Sequence, residues 1–208
     1  MGTNCAPYLA NLFLHMYEME YLENLIDVGK IDIAKRLAST FRYQDDCIAI
    51  NDSNLFNEHY RHIYPPEMSL ECTNVSHAVC TFLDLRVSVY KGKFFYKSFD
   101  KRKAFDFKIV KYPNFYGNIP MSPAYGVFYS QLVRFTEINQ SINSFISDIE
   151  ESVKCFLKNG YNNSELRHCY IKFCRKYMHK WGKFGVNIAN VRYLNRIFKA
   201  PNTDNNII

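Results

Sequence analysis

No stretch of about 18 uncharged apolar residues, the length a bilayer-crossing helix needs, occurs in this 208-residue chain. A membrane span is therefore not expected. No basic segment followed by an apolar one opens it, since the first lysine is Lys30, so a secretory leader is not expected either. The seven cysteines are odd in number, scattered, and never spaced Cys-x-x-Cys. Reduced thiols in an intracellular setting, the nucleus included, are the expectation. His168, Cys169, Cys174 and His179 fit no familiar zinc-finger spacing. Internal repeats and low-complexity blocks are lacking as well.

What is present is a globular composition, with 48% hydrophobic and 22% charged residues. A chain of this length can bury a core without disulfides. The net charge of +6 is unevenly spread. Residues 1–90 carry 6 Lys+Arg against 12 Asp+Glu, and residues 91–208 carry 20 against 8. A strongly basic second half suits a polyanionic partner, or else a solvated basic surface.

The local patterns describe an α+β chain. Leu9, Leu12, Phe13, Met16 and Met19 recur at helical spacing, and the helix runs from about Pro7 to Asp27, stopping near Gly29. A short helix fits Ile31 to Ala38. Thr40 to Tyr43 and Cys47 to Ile50 favour strands, with Gln44-Asp45-Asp46 as the turn between them. Asn51-Asp52-Ser53 offers capping side chains to a helix bearing Leu55, Phe56, Tyr60 and Ile63, which Tyr64-Pro65-Pro66 ends. Met68, Leu70 and Cys72 alternate as a strand would. Val79 to Val89 is a strand or pair of strands, and Lys91-Gly92-Lys93 turns it into Phe94 to Ser98. Helices follow: one capped by Ser122 before Pro123, one over Asn143 to Lys158 stopped by Gly160, one over Ser164 to Lys180, and one over Ile188 to Lys199.

Asp45 and Asp46 are adjacent carboxylates at a hairpin tip. Their mutual repulsion must be offset. Water does this in an ordinary turn; a hard divalent cation such as Mg²⁺ does it with carboxylate oxygens as ligands. Lys91, Lys93, Lys97, Lys101, Arg102 and Lys103 interleave with Phe94, Phe95, Tyr96 and Phe99. That mixture suits a phosphate track with aromatic partners, or a strand with snorkelling lysines. Arg167, Lys172, Arg175, Lys176, Lys180 and Lys183 form a basic helix and its exit.

Three segments stand in a telling order. Gly2-Thr3-Asn4-Cys5-Ala6-Pro7 opens an apolar helix, Arg42-Tyr43-Gln44-Asp45-Asp46 is a Tyr-x-Asp-Asp box between apolar strands, and Phe82-Leu83-Asp84-Leu85 leads into a hairpin. The order resembles the palm of a reverse transcriptase, and the wording is most similar to Penelope-like and related retroelements. In those, a Pro-x-x-(x)-Gly-(x)-x-Tyr-(Ser/Gly)-Gln-x-x-Arg segment opens the thumb, and Pro123 to Arg134 fits it. The resemblance covers nearly the whole chain. It implies a partial polymerase palm over 1–105 (an antiparallel sheet with helices), a helical thumb-like region over 106–200, and a frayed tail over 201–208.

The resemblance also implies roles. Asp45 and Asp46 would be catalytic and would ligate Mg²⁺ or Mn²⁺. Gly2, Thr3, Pro7 and Tyr43 would line the place of the incoming nucleotide, template and primer end. Phe82, Leu83 and Asp84 would belong to the primer grip, and Lys101, Arg102, Lys172, Arg175 and Lys176 would track nucleic acid. The partners would be an RNA template, a DNA primer and deoxynucleoside triphosphates, and the reaction two-metal phosphoryl transfer to a primer 3′-hydroxyl. The family's palm has a further carboxylate on a strand before the glycine loop, and fingers, neither of which precedes Gly2 here. Asp52, Glu58 and Asp84 are not on strands placed to substitute. The expectation is a fragment of an RNA-directed DNA polymerase, inactive by itself. The alternative is a non-catalytic nucleic-acid-binding remnant.

Overall fold

A computed structural model describes residues 4–50, 54–74, 76–107, 109–184 and 197–198. The fold class is α+β, as expected: these residues form six α-helices and two small antiparallel sheets. The chain divides into two compact units, Met1–Val75 and Ser76–Ile208.

The first unit is built on α1 (Ala6–Asp27), which ends as the sequence suggests. Gly29 lies at φ +76°, and its N–H and that of Lys30 bond to the carbonyls of Ile26 and Leu25. This satisfies carbonyls that the helix end would leave orphaned. Then come α2 (Ile31–Leu37), the strands β1 (Thr40–Tyr43) and β2 (Asp46–Ala49), and α3 (Leu55–Ile63). Leu25, Ala34, Leu37 and Leu55 form a small buried cluster, with Tyr21, Leu22, Ile33 and Phe56 against it. Tyr21 Oη and His59 Nδ1 lie 2.5 Å apart in a hydrogen bond between α1 and α3. Leu9, Leu12, Phe13 and Met16, on the other side of α1, stay exposed.

Two expectations for this unit need correction. The alternating Met68, Leu70 and Cys72 form no strand. Alternation supplies a face, but a strand also needs a partner to satisfy its backbone, and the described residues give it none. The cap of α3 is Asn54, at φ +74° and without a side-chain cap bond; Asn51, Asp52 and Ser53 lie outside the described residues.

The second unit opens with the meander β3 (Val79–Phe82), β4 (Leu85–Tyr90) and β5 (Lys93–Ser98). The β4–β5 loop, Lys91-Gly92, has both residues at positive φ, the two-residue turn that matches strand twist. Helices α4 (Met121–Ile138), α5 (Ile142–Lys158) and α6 (Asn163–Lys176) follow. Their apolar stripes recur every three or four residues: Phe128, Leu132 and Phe135 on α4, Phe145, Ile149 and Phe156 on α5, Leu166, Tyr170 and Phe173 on α6. These make the main core. Buried Ser152 donates its Oγ hydrogen to Tyr112 Oη at 3.1 Å, and the Tyr112 ring stacks on Phe156 with centroids 4.2 Å apart.

Helix α5 ends at Gly160 as its sequence suggests. Gly160 has φ +88°, and the N–H groups of Gly160 and Tyr161 bond to the carbonyls of Leu157 and Phe156. Helix α4 starts at Met121 with Pro120 before it, so Ser122 is not the cap but sits inside the first turn beside Pro123. Proline fits there because first-turn N–H groups have no intrahelical acceptor. Helix α6 is capped by Asn162 and stops at Lys176, short of Lys180. A 3₁₀ turn over Met178–Phe184 replaces its last turn. The helix expected over Ile188 to Lys199 lies outside the described residues, apart from 197–198.

The sheet and the helices of this unit are joined at β5. Gln140 accepts from Tyr96 N at its Oε1 (3.1 Å) and donates Nε2 to the Phe94 carbonyl (3.4 Å). Fully buried Asn139 accepts from Ser98 N at 3.3 Å and donates to Asp148 Oδ2 at 2.6 Å. Ser98 Oγ donates to the same carboxylate oxygen at 2.5 Å. These bonds satisfy part of the β5 edge. The meander and the helices thus belong to one compact unit, Ser76–Ile208.

Candidate functional site

The Tyr-x-Asp-Asp box forms the tip of the β1–β2 hairpin. Tyr43 pairs with Asp46 and Arg42 with Cys47, which leaves Gln44-Asp45 as a two-residue loop. Gln44 takes φ +55°, a conformation that costs a residue bearing a Cβ about 1 kcal/mol or more. Directly paired residues share one face of an antiparallel ribbon. Tyr43 and Asp46 are thus on one side, together with Phe41 and Ile48. Arg42 and Cys47 are on the other. Tyr43 is 55% exposed, Asp45 is exposed and Asp46 is half-buried.

The inner side of the hairpin is held to α1 by Arg42. Its guanidinium donates from Nε to Glu18 Oε1 at 2.6 Å, from Nη2 to Glu18 Oε2 at 3.4 Å, from Nη1 to Asn11 Oδ1 at 2.8 Å, and from Nη2 to the Asn11 carbonyl at 3.1 Å. Nη1 also reaches the Gln44 carbonyl at 3.5 Å. Only 10% of the Arg42 side chain is exposed. Tyr64 Oη donates to Glu18 Oε1 at 2.7 Å. The bond to Glu18 holds the Arg42 pKa above its usual value. Burial first, then the bond to Glu18, pushes the Tyr64 phenol up, and burial pushes up the Cys47 thiol. The inner face is therefore one neutral-to-balanced polar cluster, and the hairpin tip projects from it.

Arg42 enters the sequence reading only as part of the box. One signal could have singled it out: alternation along β1 turns a charged residue to the same side as Thr40, and a buried guanidinium requires a carboxylate.

The other expected residues are dispersed. Gly2 and Thr3 lie outside the described residues. Pro7 is exposed in the first turn of α1. Phe82 ends β3, and Leu83-Asp84 is the β3–β4 loop, with Leu83 at φ +54°. The Asp84 carboxylate pairs with Arg134, and its carbonyl accepts from Phe99 N at 2.7 Å. Two segments singled out separately, Phe82-Leu83-Asp84 and Pro123 to Arg134, thus meet in one unit.

Lys101 and Arg102 follow β5 in a 3₁₀ turn over Lys101–Ala104. Arg102 is engaged by Asp100, Nε to Oδ1 at 2.7 Å, and Lys111 Nζ is 2.9 Å from Asp100 Oδ2. Burial opposes ionisation of Asp100, but the bonds from Arg102 and Lys111 outweigh it and hold its pKa well below the carboxylate range. Lys103 pairs with Glu151 at 2.7 Å. Lys172, Arg175 and Lys176 are exposed on α6, near exposed His168. Lys176 Nζ lies 5.6 Å from the Tyr177 ring centre. Cys174 faces the core instead, so His168 and Cys174 are on different sides of the helix.

Among the described residues, no group of three or more His, Cys, Asp or Glu side chains is placed to hold a metal ion. No helix of the described residues is long and apolar enough to cross a membrane. Comparison with protein-family models, curated proteins and solved structures gave no match.

Proposed function

We propose that this chain carries part of the catalytic palm and the thumb of an RNA-directed DNA polymerase of retroelement type. One observation carries the reading. The Asp45-Asp46 pair projects from a tight hairpin whose inner face is clamped to α1 by Arg42. Adjacent carboxylates, Asp45 in the two-residue turn and Asp46 opening the strand that leaves it, form a donor set that suits one hard divalent cation, Mg²⁺ or Mn²⁺. The meeting of Asp84 with Arg134 adds support, because it joins the primer-grip-like turn to the thumb-like segment.

On this reading Asp45 and Asp46 would hold the ion. Bound there, it would supply positive charge to phosphoryl oxygens. Tyr43, exposed on the same face as Asp46, would offer its ring to a primer terminus or base. Arg42 would keep the tip from moving relative to α1. Lys172, Arg175 and Lys176 would follow the phosphates of a primer–template duplex. Two carboxylates suit one ion better than two, so primer extension is not expected from these residues alone. A nucleic-acid substrate would place the protein inside the cell, the nucleus included.

A Mn²⁺ titration of the full chain, followed by paramagnetic broadening of backbone amides, tests the site. The expected result is broadening centred on residues 43–48 that is lost in Asp45→Asn and Asp46→Asn. Equal broadening in both variants would refute the assignment. Addition of an RNA template, DNA primer and deoxynucleoside triphosphates should give no extension. Extension abolished by Asp45→Asn would show that the site is more complete than its carboxylates suggest.

The exposed cations of α6 favour a second reading, duplex binding without chemistry. It predicts salt-sensitive binding that survives Asp45→Asn. Converting Lys172, Arg175 and Lys176 to glutamine should make the negative slope of log affinity against log salt shallower by about 2 to 3.

A further inference from the structure

One face of the β4–β5 hairpin combines exposed cations with exposed aromatic rings. Its register sets Arg86 directly opposite Lys97, Ser88 opposite Phe95, and Tyr90 opposite Lys93. Directly paired residues point to the same side, so these six side chains form one patch. Arg86, Lys93 and Lys97 are exposed, Tyr90 is 63% exposed and Phe95 44%. Like charges directly opposite one another destabilise a sheet. Among the described residues none of the three cations has an ion-pair partner. Three acids of the same unit are committed elsewhere: Asp84 to Arg134, Asp100 to Arg102 and Lys111, and Asp148 to Ser98 and Asn139. The opposite face of the same strands carries Val87 and Tyr96, both half-buried, and towards the turn Val89 and Phe94, both exposed, with no cation among them.

We infer that this face binds single-stranded nucleic acid, with phosphates on Arg86, Lys93 and Lys97 and bases stacked on Tyr90 and Phe95. The charge of the patch is uncompensated and of one sign, which calls for a polyanion. The exposed rings call for flat apolar surfaces, which unpaired bases offer and a closed duplex hides. Lys93, Phe95 and Lys97 alternate along β5 at about 7 Å per step, so a ring sits between two cations. Ser88, on the same side, donates its Oγ hydrogen to the Phe95 carbonyl at 3.4 Å. The inference uses neither Asp45, Asp46 nor the cations of α6, and it stands whether or not the hairpin tip holds a metal.

The test is fluorescence anisotropy of the full chain with a labelled oligothymidylate of about 12 nucleotides, within the usual single-strand site sizes. An oligomer of equal length made of abasic sites supplies the same phosphates without bases. Tyr90→Ala and Phe95→Ala should each weaken thymidylate binding about tenfold, in keeping with the loss of one stacked base, and leave the salt dependence unchanged. Arg86→Gln with Lys97→Gln should make the negative slope of log affinity against log salt shallower by about 1.4. The abasic oligomer should bind the wild type no better than it binds the two ring variants. Lys93→Gln, at the exposed end of β5, serves as the milder variant if the Arg86/Lys97 pair melts early. It should make the slope shallower by about 0.7. The inference is overturned if thymidylate does not bind, if abasic oligomer or anionic lipid vesicles bind as tightly, or if the ring variants bind like wild type. Binding lost only on substitution of Lys172, Arg175 and Lys176 would assign it to α6 and overturn the inference too.

Discussion

Replacing Arg42 by alanine tests whether the hairpin tip is held by one side chain. The substitution removes four hydrogen bonds to α1. It leaves the Glu18 carboxylate, 26% exposed, with the Tyr64 hydroxyl as its nearest remaining donor. Breaking a fully buried ion pair from one side costs about 3–5 kcal/mol. Glu18 keeps some water, so about 2–4 kcal/mol is the better figure here. The rest of the unit offers little to absorb the loss, since its buried cluster consists of four residues. Native-state hydrogen exchange of the full chain reads the effect where it occurs. Amides of β1 and β2 should lose protection by a factor of roughly 30 to 1000, the stated energy at about 1.4 kcal/mol per decade. Amides of α5 should exchange as in the wild type. Arg42→Lys keeps the charge but not the planar fork, and should fall between the two. Wild-type protection in the hairpin of Arg42→Ala, or equal losses in α5, would refute the argument.

Two more outcomes follow from geometry already described. Gly160→Ala should destabilise the second unit by about 1–2 kcal/mol, because φ +88° is costly for a residue with a Cβ. The added Cβ would also come 2.5 Å from the Tyr116 ring, but that ring is 83% exposed and can turn aside; an unchanged urea midpoint would contradict the first term. The second outcome concerns Cys174, whose thiol is pushed by burial from 9.0 up to about 11. A raised folded-state pKa means that the native chain holds its proton more tightly. The stabilisation is therefore complete below about pH 9 and lost as pH rises to about 11. Cys174→Ala should flatten that alkaline decline in urea midpoints, and an identical slope in the variant would exclude the thiol as its source.

Features set by neighbours in sequence were the readable ones. Gly29 and Gly160 marked helix ends because a left-handed residue closes the last turn locally. Lys91-Gly92 marked a hairpin for a similar reason. The Asp-Asp tip was found because its strands flank it directly. Features set by distant partners were not. Arg42 meets Asn11 and Glu18, 31 and 24 residues away, and no local pattern announces that pairing. Asn139 and Gln140 look like an ordinary helix exit, yet they bind the edge of β5. Alternation at Met68 to Cys72 misled because it reports a face and not a partner. Arg86 was absent from the basic cluster read in sequence, and only the strand register sets it opposite Lys97.

The contrast between the two-residue turns has a kinetic meaning. Lys91-Gly92 has both residues at positive φ, the geometry that follows the strand twist. Lys91 bears the same cost as Gln44, but Gly92 enters at little cost. All the strand partners of this turn are local, so the β4–β5 hairpin can form early, on the time scale of about 1–10 μs typical of hairpins. Gln44 must be forced into the same half of conformational space. Its turn is a poor nucleus, and the bonds that compensate for it come from α1, far back along the chain. The β1–β2 hairpin should therefore condense late, onto a helix already formed. Substitutions at Arg42 should then speed unfolding and leave the folding rate almost untouched. The carboxylate pair would be among the last parts of its unit to take shape and among the first to lose it.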